Sequence, residues 1–342
     1  MRSVVHNEYG DPATILRLID GASPPAIGPG EVLVRITSVP LHPGDLAMIR
    51  GDAIGGEPAP IAPGQPRVPG FEGTGIIEAL SPDVASAGRL RKGMAVSFFP
   101  AMGAWSDFAA VHSTYVTPVP DGVADGTAAH MLVNGITASM MVRAGLEAIG
   151  PINGEPAVVL QTASASAVGR LLTVLAQQAG LVPLRLVRSS ESAKALAEIL
   201  PGAPIITTSD PDWKEQVRAA AGNRPIRAAF DGVGGELISD LISLLAVGAT
   251  IVNYGDMGKG SPDIRGLVPK GNAILGVSIL NWVPLSEEER AADVAAALGL
   301  LSVAPEQFKV AAEYDVADMA SAVEHMGRPG KIGAILVKFS DR

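Results

Sequence analysis

The chain has 342 residues, a length that predicts about two domains. Hydrophobic residues make up 47% and charged residues 18%, so a large core is expected and wholesale disorder is excluded. The net charge of −9 reflects 35 acidic and 26 basic side chains, and no run of Lys and Arg is present. We therefore expect no nucleic-acid partner, because binding to a phosphate backbone needs clustered positive charge.

The sequence contains no cysteine, which excludes disulfides, thiolate catalysis and Cys-ligated zinc. The first residues, MRSVVHNEYGDP, reach Glu8 before any long apolar run, so they do not resemble a secretory signal. The most apolar long stretch, 241–254, is interrupted by polar residues and is too short for a membrane span. We expect a soluble, cytoplasmic protein without a membrane partner.

The first part of the chain, residues 1–127, has the pattern of an irregular, mostly β domain. Glycine and proline separate short β-type runs at 31–39, 73–80, 94–99 and 108–113. Residues 57–70, EPAPIAPGQPRVPG, contain five prolines and cannot form a helix or a central strand. We predict a rigid loop there.

From residue 128 onward, apolar strands alternate with helices. The predicted strands are 157–161, 182–188, 204–208, 226–231, 249–255 and 273–279, and the first two precede helices at 168–180 and 191–200. Continuous apolar strands between helices indicate a parallel sheet covered on both faces. We predict a second domain at 128–270, and then an edge strand and a return to the first domain over 271–342.

The segment VVLQTASASAVGRLL, residues 158–172, runs from a strand through a small-residue turn into a helix. The strand ends at Gln161 and the helix is predicted to begin near Val168, with only Ala, Ser and Thr between them. Such a turn lets the backbone N–H groups of a helix N-terminus approach a pyrophosphate. A turn of small residues that serves packing alone is the alternative.

Arg188 follows the second strand of this domain, 19 residues after Gly169, where a ribose-reading residue is expected. Enzymes that use NAD place Asp or Glu there, whereas this chain has Arg188, Ser189 and Ser190. A guanidinium with two hydroxyls favours the 2′-phosphate of NADPH. The alternative is an exposed arginine at the end of a strand. The turn NYGDMGKG, 253–260, lies at the same predicted sheet edge.

Eight motifs, taken together in their order and spacing, carry a family resemblance. They are EYGDPATILRL at 8–18, LHPGDLAMIRG at 41–51, VPGFEGTGII at 68–77, LVNGITAS at 132–139, ASASAVG at 163–169, FDGVGGE at 230–236, VNYGDMGKG at 252–260 and GKIGAILV at 330–337. With them the chain resembles the zinc-free medium-chain dehydrogenase/reductases, in the branch of quinone oxidoreductases and 2-enoyl thioester reductases.

The resemblance implies an α/β fold in which a Rossmann-type, doubly wound parallel sheet is inserted in a mostly β, GroES-like catalytic domain. It also implies a homodimer formed by pairing of sheet edges, for which 273–280 is the candidate edge.

The resemblance further implies a set of NADPH-binding residues. They are Asn134, Ala165, Ser166, Ala167, Val168, Arg188, Ser189, Ser190, Tyr254, Gly255, Asp256, Met257, Val277, Ser278, Ile279 and Lys331. For Val277 and Ile279, a role as ordinary core residues of a strand is the alternative.

Zinc-using relatives of this family carry a Gly-His-Glu segment, which here reads Gly70-Phe71-Glu72. Without cysteine, Glu72 alone cannot bind zinc in the required geometry. We therefore predict no metal.

The substrate side departs from the family pattern. Enoyl thioester reductases have a tyrosine proton donor where this chain has Ala53, and their Asn-Pro-x-Asp becomes His42-Pro43-Gly44-Asp45. The resemblance implies hydride transfer from NADPH to an activated alkene, so the proton donor becomes His42, Asp45 or water. The alternatives are that His42 only fixes a turn and that Asp45 only bonds to nearby backbone.

Three functions are compatible with these observations. The first is an NADPH-dependent reductase that acts on the activated C=C bond of a small molecule, of 2-enoyl thioester or enone type. The second is an NADPH:quinone reductase, which the loss of tyrosine at Ala53 favours. The third is a protein that binds NADPH as a sensor or structural component without catalysis.

Overall fold

The computed structural model describes residues 1–52, 60–62, 64–152, 154–328 and 330–339. The chain forms two compact units: unit 1 is Met1–Val133 with Phe308–Arg342, and unit 2 is Asn134–Gln307. The sequence-based division at 127/128 precedes a long helix that begins at Met131, whereas the structure places the division inside that helix.

The first part of unit 1 is rich in short strands. Its elements are β1 (Ser3–Val5), α1 (Pro12–Ile15), β2 (Arg17–Ile19), β3 (Glu31–Pro40), α2 (Pro43–Arg50), β4 (Gly73–Leu80), α3 (Pro82–Ala87), β5 (Ala95–Phe98), β6 (Phe108–His112), β7 (Val116–Pro118) and α4 (Asp125–Ala128). Proline at the first helical position starts α2 and α3, because its fixed φ suits a helix and its missing N–H would have no partner there.

Unit 2 alternates strands with helices, and the helix α5 leads into it. Its elements are α5 (Met131–Ile149), β8 (Ala157–Gln161), α6 (Ala167–Gln178), β9 (Leu181–Val187), α7 (Ser190–Ile199), β10 (Ile205–Thr207), α8 (Trp213–Ala221), β11 (Ile226–Asp231), α9 (Leu237–Leu244), β12 (Thr250–Asn253), α10 (Leu267–Lys270), β13 (Ala273–Gly276) and α11 (Glu287–Val303). Across the described ranges, no helix has the length and apolar character that a membrane crossing requires.

The C-terminal segment adds two strands and a helix to unit 1: β14 (Val310–Asp315), α12 (Met319–Met326) and β15 (Ala334–Lys338). A seven-stranded sheet has the order β14-β15-β3-β4-β5-β7, with β6 paired to β3. Along β3 the side chains of Val32, Val34 and Ile36 are buried at every second position, as expected for a strand with one face on the core.

The sheet of unit 2 has six strands in the order β10-β9-β8-β11-β12-β13, and every pair in it is parallel. From β8 the chain adds β9 and β10 on one side, and it then returns to β11 and adds β12 and β13 on the other side. Ligands of open α/β sheets bind at the carboxyl ends of strands where the order reverses in this way. The predicted α/β fold class, with a Rossmann-type unit and a GroES-like unit, is confirmed.

Several predicted elements of unit 2 differ in extent from the observed ones, and two of these differences have a local cause. The strand predicted at 273–279 ends at Gly276, because the Ser278 hydroxyl accepts a hydrogen bond from the N–H of Leu280 and starts a 3-10 turn over Ile279–Trp282. The helix predicted at 168–180 covers Ala167–Gln178, and Gly180 follows it with a positive φ of 76°.

Candidate functional site

The turn between β8 and α6 brings its backbone unusually close to the helix. The Ser166 hydroxyl caps α6 by accepting a hydrogen bond from the N–H of Gly169 at 2.9 Å. A Cβ atom at Gly169 would lie 2.3 Å from the carbonyl oxygen of Ala163, so only glycine allows this approach. Ala163 itself has a φ of 50°, in the left-handed region. The single glycine of this loop thus serves the packing of the helix against the turn.

The first turn of α6 presents backbone donors. The N–H groups of Ala167 and Val168 belong to the first turn, where the helix itself offers no acceptor. Ser166 is exposed, and Ala165, Ala167 and Val168 are half-buried. The Ser166 N–H donates to the carbonyl of Ala163, so the N–H groups of Ala167 and Val168 are the donors at the positive end of this helix dipole, which suits an anionic group.

Asp231, at the end of β11, joins the carboxyl ends of three strands. Its Oδ1 accepts hydrogen bonds from the Thr162 hydroxyl at 2.6 Å and the Val233 N–H at 3.1 Å. Its Oδ2 accepts from the Gly234 N–H and the Asn253 side chain, both at 2.9 Å. Because this carboxylate is fully buried and its partners follow or end β8, β11 and β12, it holds the loops of this edge in one arrangement. Sequence reasoning quoted its motif without assigning it a role.

The predicted residues 254–257 lie on the loop after β12. The Tyr254 ring packs against Gly232, where a Cβ atom would come within 2.5 Å of the ring. Burial raises the pKa of the Tyr254 hydroxyl far above its usual value, Asp231 adds to the rise, and the nearby Ser166 hydroxyl opposes it. Gly255 passes close to Gly232, while Asp256 and Met257 are exposed. The structure thus brings this turn together with the 165–168 turn.

The predicted 2′-phosphate segment lies directly after β9. Arg188 is exposed there. The Ser189 hydroxyl caps α7 by accepting from the N–H of Ser192 at 3.3 Å, and Ser190 is the first helical residue. A guanidinium, hydroxyls and a helix start are therefore adjacent, and no carboxylate occupies the strand end.

The remaining predicted cofactor residues lie apart from these turns in the chain. In unit 2, Asn134 is buried on α5, and Val277–Ile279 are half-buried beyond the edge strand β13. In unit 1, the Lys331 ammonium donates to the carbonyl of Gly333 at 3.1 Å.

His42, in unit 1, forms a buried pair with a carboxylate. It precedes α2 as the N-cap residue, and its Nε2 lies 2.7 Å from Oε2 of Glu72. The other Glu72 oxygen accepts a hydrogen bond from the Val133 N–H at 2.7 Å. The imidazole stacks on Phe71 with ring centroids 5.3 Å apart. These contacts orient Nε2 toward Glu72, while the imidazole also takes part in the capping box at the start of α2, where it faces the backbone N–H of Asp45.

The charge state of this pair follows from burial and from two carboxylates. Burial opposes the charged imidazole, but the hydrogen bond and charge of Glu72, together with the charge of Asp45, raise the pKa of His42 above its usual value. Asp45 is buried, and burial raises the pKa of its carboxyl to about 6, against the opposing effect of His42. Its Oδ2 accepts the backbone N–H of His42 at 2.9 Å, so Asp45 bonds to nearby backbone.

Glu72 is a residue that sequence reasoning considered only as a zinc ligand. Its separation of 30 residues from His42 carries no local signal that the two side chains meet. Within the part of the chain that the structure describes, no group of three or more His, Asp or Glu side chains is arranged to hold a metal ion. Ala53 and most of the first half of the proline-rich segment 57–70 lie outside the described residues.

Comparison with known proteins places this geometry in a family. The model of the alcohol dehydrogenase GroES-like domain matches residues 28–121. The mitochondrial enoyl-[acyl-carrier-protein] reductase of Xenopus tropicalis is 28% identical over 288 residues, which are 82% of this chain and 78% of that protein. The Bos taurus protein of the same name is 28% identical over 263 residues, 76% of this chain and 66% of its own length.

Solved structures agree over the whole length. The structure of a mycobacterial protein complexed with NADPH matches with a TM-score of 0.84 and 25% identity, covering 99% of this chain and 100% of that one. The Escherichia coli quinone oxidoreductase complexed with NADPH has the same fold, with a TM-score of 0.82 at 18% identity and the same coverage. The chain thus resembles the enoyl reductases and quinone oxidoreductases of the medium-chain dehydrogenase/reductases.

Proposed function

We propose that the protein is an NADPH-dependent oxidoreductase that reduces the activated C=C bond of a small molecule, without a metal. The observation that carries this proposal is the carboxyl edge of the unit 2 sheet. There Asp231 ties together the ends of β8, β11 and β12, next to the free N–H groups of α6. This is the edge at which parallel α/β sheets bind nucleotides.

The residues of this edge fit a phosphorylated dinucleotide. Ala165, Ala167 and Val168 offer backbone donors for a pyrophosphate, and Arg188 with Ser189 and Ser190 offers charge and hydroxyls for a 2′-phosphate. The loop with Tyr254, together with Asn134, Val277–Ile279 and Lys331, completes the proposed set of cofactor residues. Bound NADPH would supply the hydride.

We assign the proton-donating role to His42. Its ring is held by Glu72 and Phe71, and the hydrogen bond and charge of Glu72 raise the pKa of His42, which favours the protonated imidazole. Asp45 is a positioning residue: its carboxylate accepts a hydrogen bond from the backbone N–H of His42, and its negative charge raises the pKa of the imidazole.

The names of the curated relatives, enoyl-[acyl-carrier-protein] reductases, favour a 2-enoyl thioester as the substrate class. A histidine held in place by a carboxylate supports the same choice, because an alkene needs a proton as well as a hydride. The alternative is quinone reduction, which Ala53 favours, since the family's tyrosine is missing at that position.

The decisive experiment follows NADPH oxidation at 340 nm with a crotonyl thioester, a simple enone and a quinone as separate substrates. Turnover of the thioester or enone that is lost in His42→Gln supports the proposal. Turnover of quinone alone, unaffected by His42→Gln, would replace it with the alternative. Tight NADPH binding without turnover of any substrate would point to a sensor.

Cofactor choice is tested by Arg188→Ala. The substitution removes a charge specific to the 2′-phosphate, so we expect NADPH to bind about tenfold or more weakly while NADH affinity is unchanged. Lys194→Ala, a nearby cation on α7, serves as the matched control. Equal losses for NADPH and NADH in Arg188→Ala would refute the assignment of Arg188.

We also propose a homodimer that pairs the edge strand β13 of two copies. β13 is exposed along its whole length, and Ile274 and Leu275 present apolar side chains beside the exposed Leu280. An unpaired apolar edge is an aggregation hazard unless it is covered, and a second copy of the same strand covers it.

We expect the protein to reside in the cytoplasm. The lack of cysteine suits a reducing compartment. Because the curated relatives are named mitochondrial, cell fractionation with a mitochondrial marker is the appropriate test.

A further inference from the structure

The residue directly after Gly169 on α6 is a buried arginine. Arg170 is completely buried on the first turns of that helix, where the helical pattern predicts an apolar side chain. Its Nη1 donates to the carbonyl of Ala165 at 2.8 Å and its Nη2 donates to the carbonyl of Gln307, also at 2.8 Å. Its Nε is buried without a hydrogen-bond partner. The guanidinium therefore lies directly beneath the turn that carries Ala165 and Ser166.

No carboxylate neutralises this charge. Among the described residues Arg170 forms no ion pair, and its two acceptors are neutral carbonyl groups. Burial alone lowers the pKa of the guanidinium to about 10, so it remains charged at neutral pH. A buried and uncompensated cation is costly in a protein interior, and two carbonyl hydrogen bonds offset only part of that cost.

A phosphate group at the start of α6 would supply the missing negative charge. The guanidinium donates a hydrogen bond to Ala165, whose backbone faces the start of α6. It lies on the buried side of the turn, opposite the side that faces solvent. In a low-dielectric interior, attraction between a buried cation and an anion acts over several ångströms and needs no direct contact.

We propose that Arg170 is a buried electrostatic element of the dinucleotide site, which strengthens pyrophosphate binding from beneath the turn and also fixes the turn through Ala165. This inference rests on the proposed function, since it assigns a further binding role to a residue of the same site. It differs from the role of Arg188, because the pyrophosphate is common to NADPH and NADH whereas the 2′-phosphate is not.

Arg185 provides a matched control within the same unit. It is also fully buried, and it also donates to two carbonyl groups, those of Leu200 and Ala203, at the far end of α7. Burial likewise lowers its pKa, but it does not contact the turn. A change at Arg185 therefore reproduces the loss of a buried, carbonyl-bonded arginine without removing charge from beneath Ala165.

The experiment compares four variants of the full chain: Arg170→Lys, Arg170→Gln, Arg170→Met and Arg185→Met. Dissociation constants for NADPH and NADH are measured by titration, with thermal melting of each variant without nucleotide. We expect Arg170→Gln and Arg170→Met to bind both dinucleotides about tenfold or more weakly, with a smaller salt dependence of binding, since a cation near phosphate is lost. Arg170→Lys should retain most of the affinity, and Arg185→Met should retain all of it.

Three results would overturn the proposal. They are unchanged affinity in Arg170→Gln, a loss in Arg170→Lys as large as in Arg170→Met, and a similar loss in Arg185→Met. Arg170→Gln keeps a side-chain donor for a carbonyl, so it provides the neutral variant if Arg170→Met does not fold. If the wild-type chain binds neither dinucleotide, the proposed function itself fails. Titration with inorganic pyrophosphate of the wild-type chain and Arg170→Gln then decides the role of Arg170, and equal affinities would refute it.

Discussion

At the scale of single residues, the contact between His42 and Glu72 determines the chemistry available in unit 1. A histidine next to a proline was open to interpretation as a turn residue, and the structure shows that it caps α2 as well. The second interaction, a 2.7 Å hydrogen bond to a fully buried carboxylate, holds the imidazole in place and raises its pKa. Only the fold brings these two residues together.

Glu72→Gln should lower the pKa of His42. The substitution removes the hydrogen-bonded carboxylate and leaves burial, which disfavours the charged ring, as the main influence. A raised folded-state pKa adds stability that is fully present at acidic pH and is lost as the pH rises through that pKa. Wild type should therefore exceed Glu72→Gln in unfolding free energy by about 1–3 kcal/mol at pH 5–6, and by less at pH 8–9.

The measurements for this variant are an NMR titration of the His42 ring and urea unfolding across that pH range. Glu78→Gln is the control, since Glu78 lies on β4 and pairs with Arg35 rather than with a histidine. An unchanged His42 titration in Glu72→Gln would show that the Glu72 carboxylate does not raise the pKa of the His42 ring.

At the scale of elements, the turn from β8 to α6 depends on one glycine. Gly169→Ala should destabilise the protein by about 2–4 kcal/mol, because a Cβ atom would approach the backbone of Ala163 and Ser164, which cannot move away as a flexible side chain could. It should also weaken NADPH binding, since the displaced residues carry the donors of the turn. Differential scanning calorimetry and nucleotide titration test both effects.

Gly299→Ala, within α11, is the control for Gly169→Ala. Gly299 has open space around the position of a Cβ atom, so the added methyl group should stabilise the helix by about 0.5–1 kcal/mol. A Gly169→Ala protein that melts and binds like wild type would mean that the turn is more adaptable than its geometry indicates.

The strands and helices of unit 2 were largely predictable, and the limits of the prediction have local causes. β8 and β11 have the predicted bounds, because each is a continuous apolar run between polar turns. Residues 277–279 read as a continuation of β13, since their apolar pattern does not show that the Ser278 side chain would bond to the backbone and end the strand. Arg170 gave no signal of burial either, as charged residues are seldom buried.

At the scale of the whole molecule, we expect a dimer of twice the 35.0 kDa chain mass. Leu275→Lys places a charge on the exposed edge of β13 and should shift sedimentation toward the monomer. Val303→Lys, at another exposed apolar position, on α11, is the control and should leave the dimer intact. A monomeric wild-type chain at micromolar concentration would refute the proposed homodimer.

The sequence by itself determined the fold class and the family resemblance, because apolar periodicity, turn residues and ordered motifs are local properties of the chain. It also determined which residues follow each strand, and therefore which segments meet at the carboxyl edge of a parallel sheet. Only the tertiary structure decided that Glu72 holds His42, that Asp231 joins three loops, and that Arg170 lies uncompensated beneath a turn. These contacts join residues far apart in sequence, and the burial that alters the charge of each group exists only once the chain has folded.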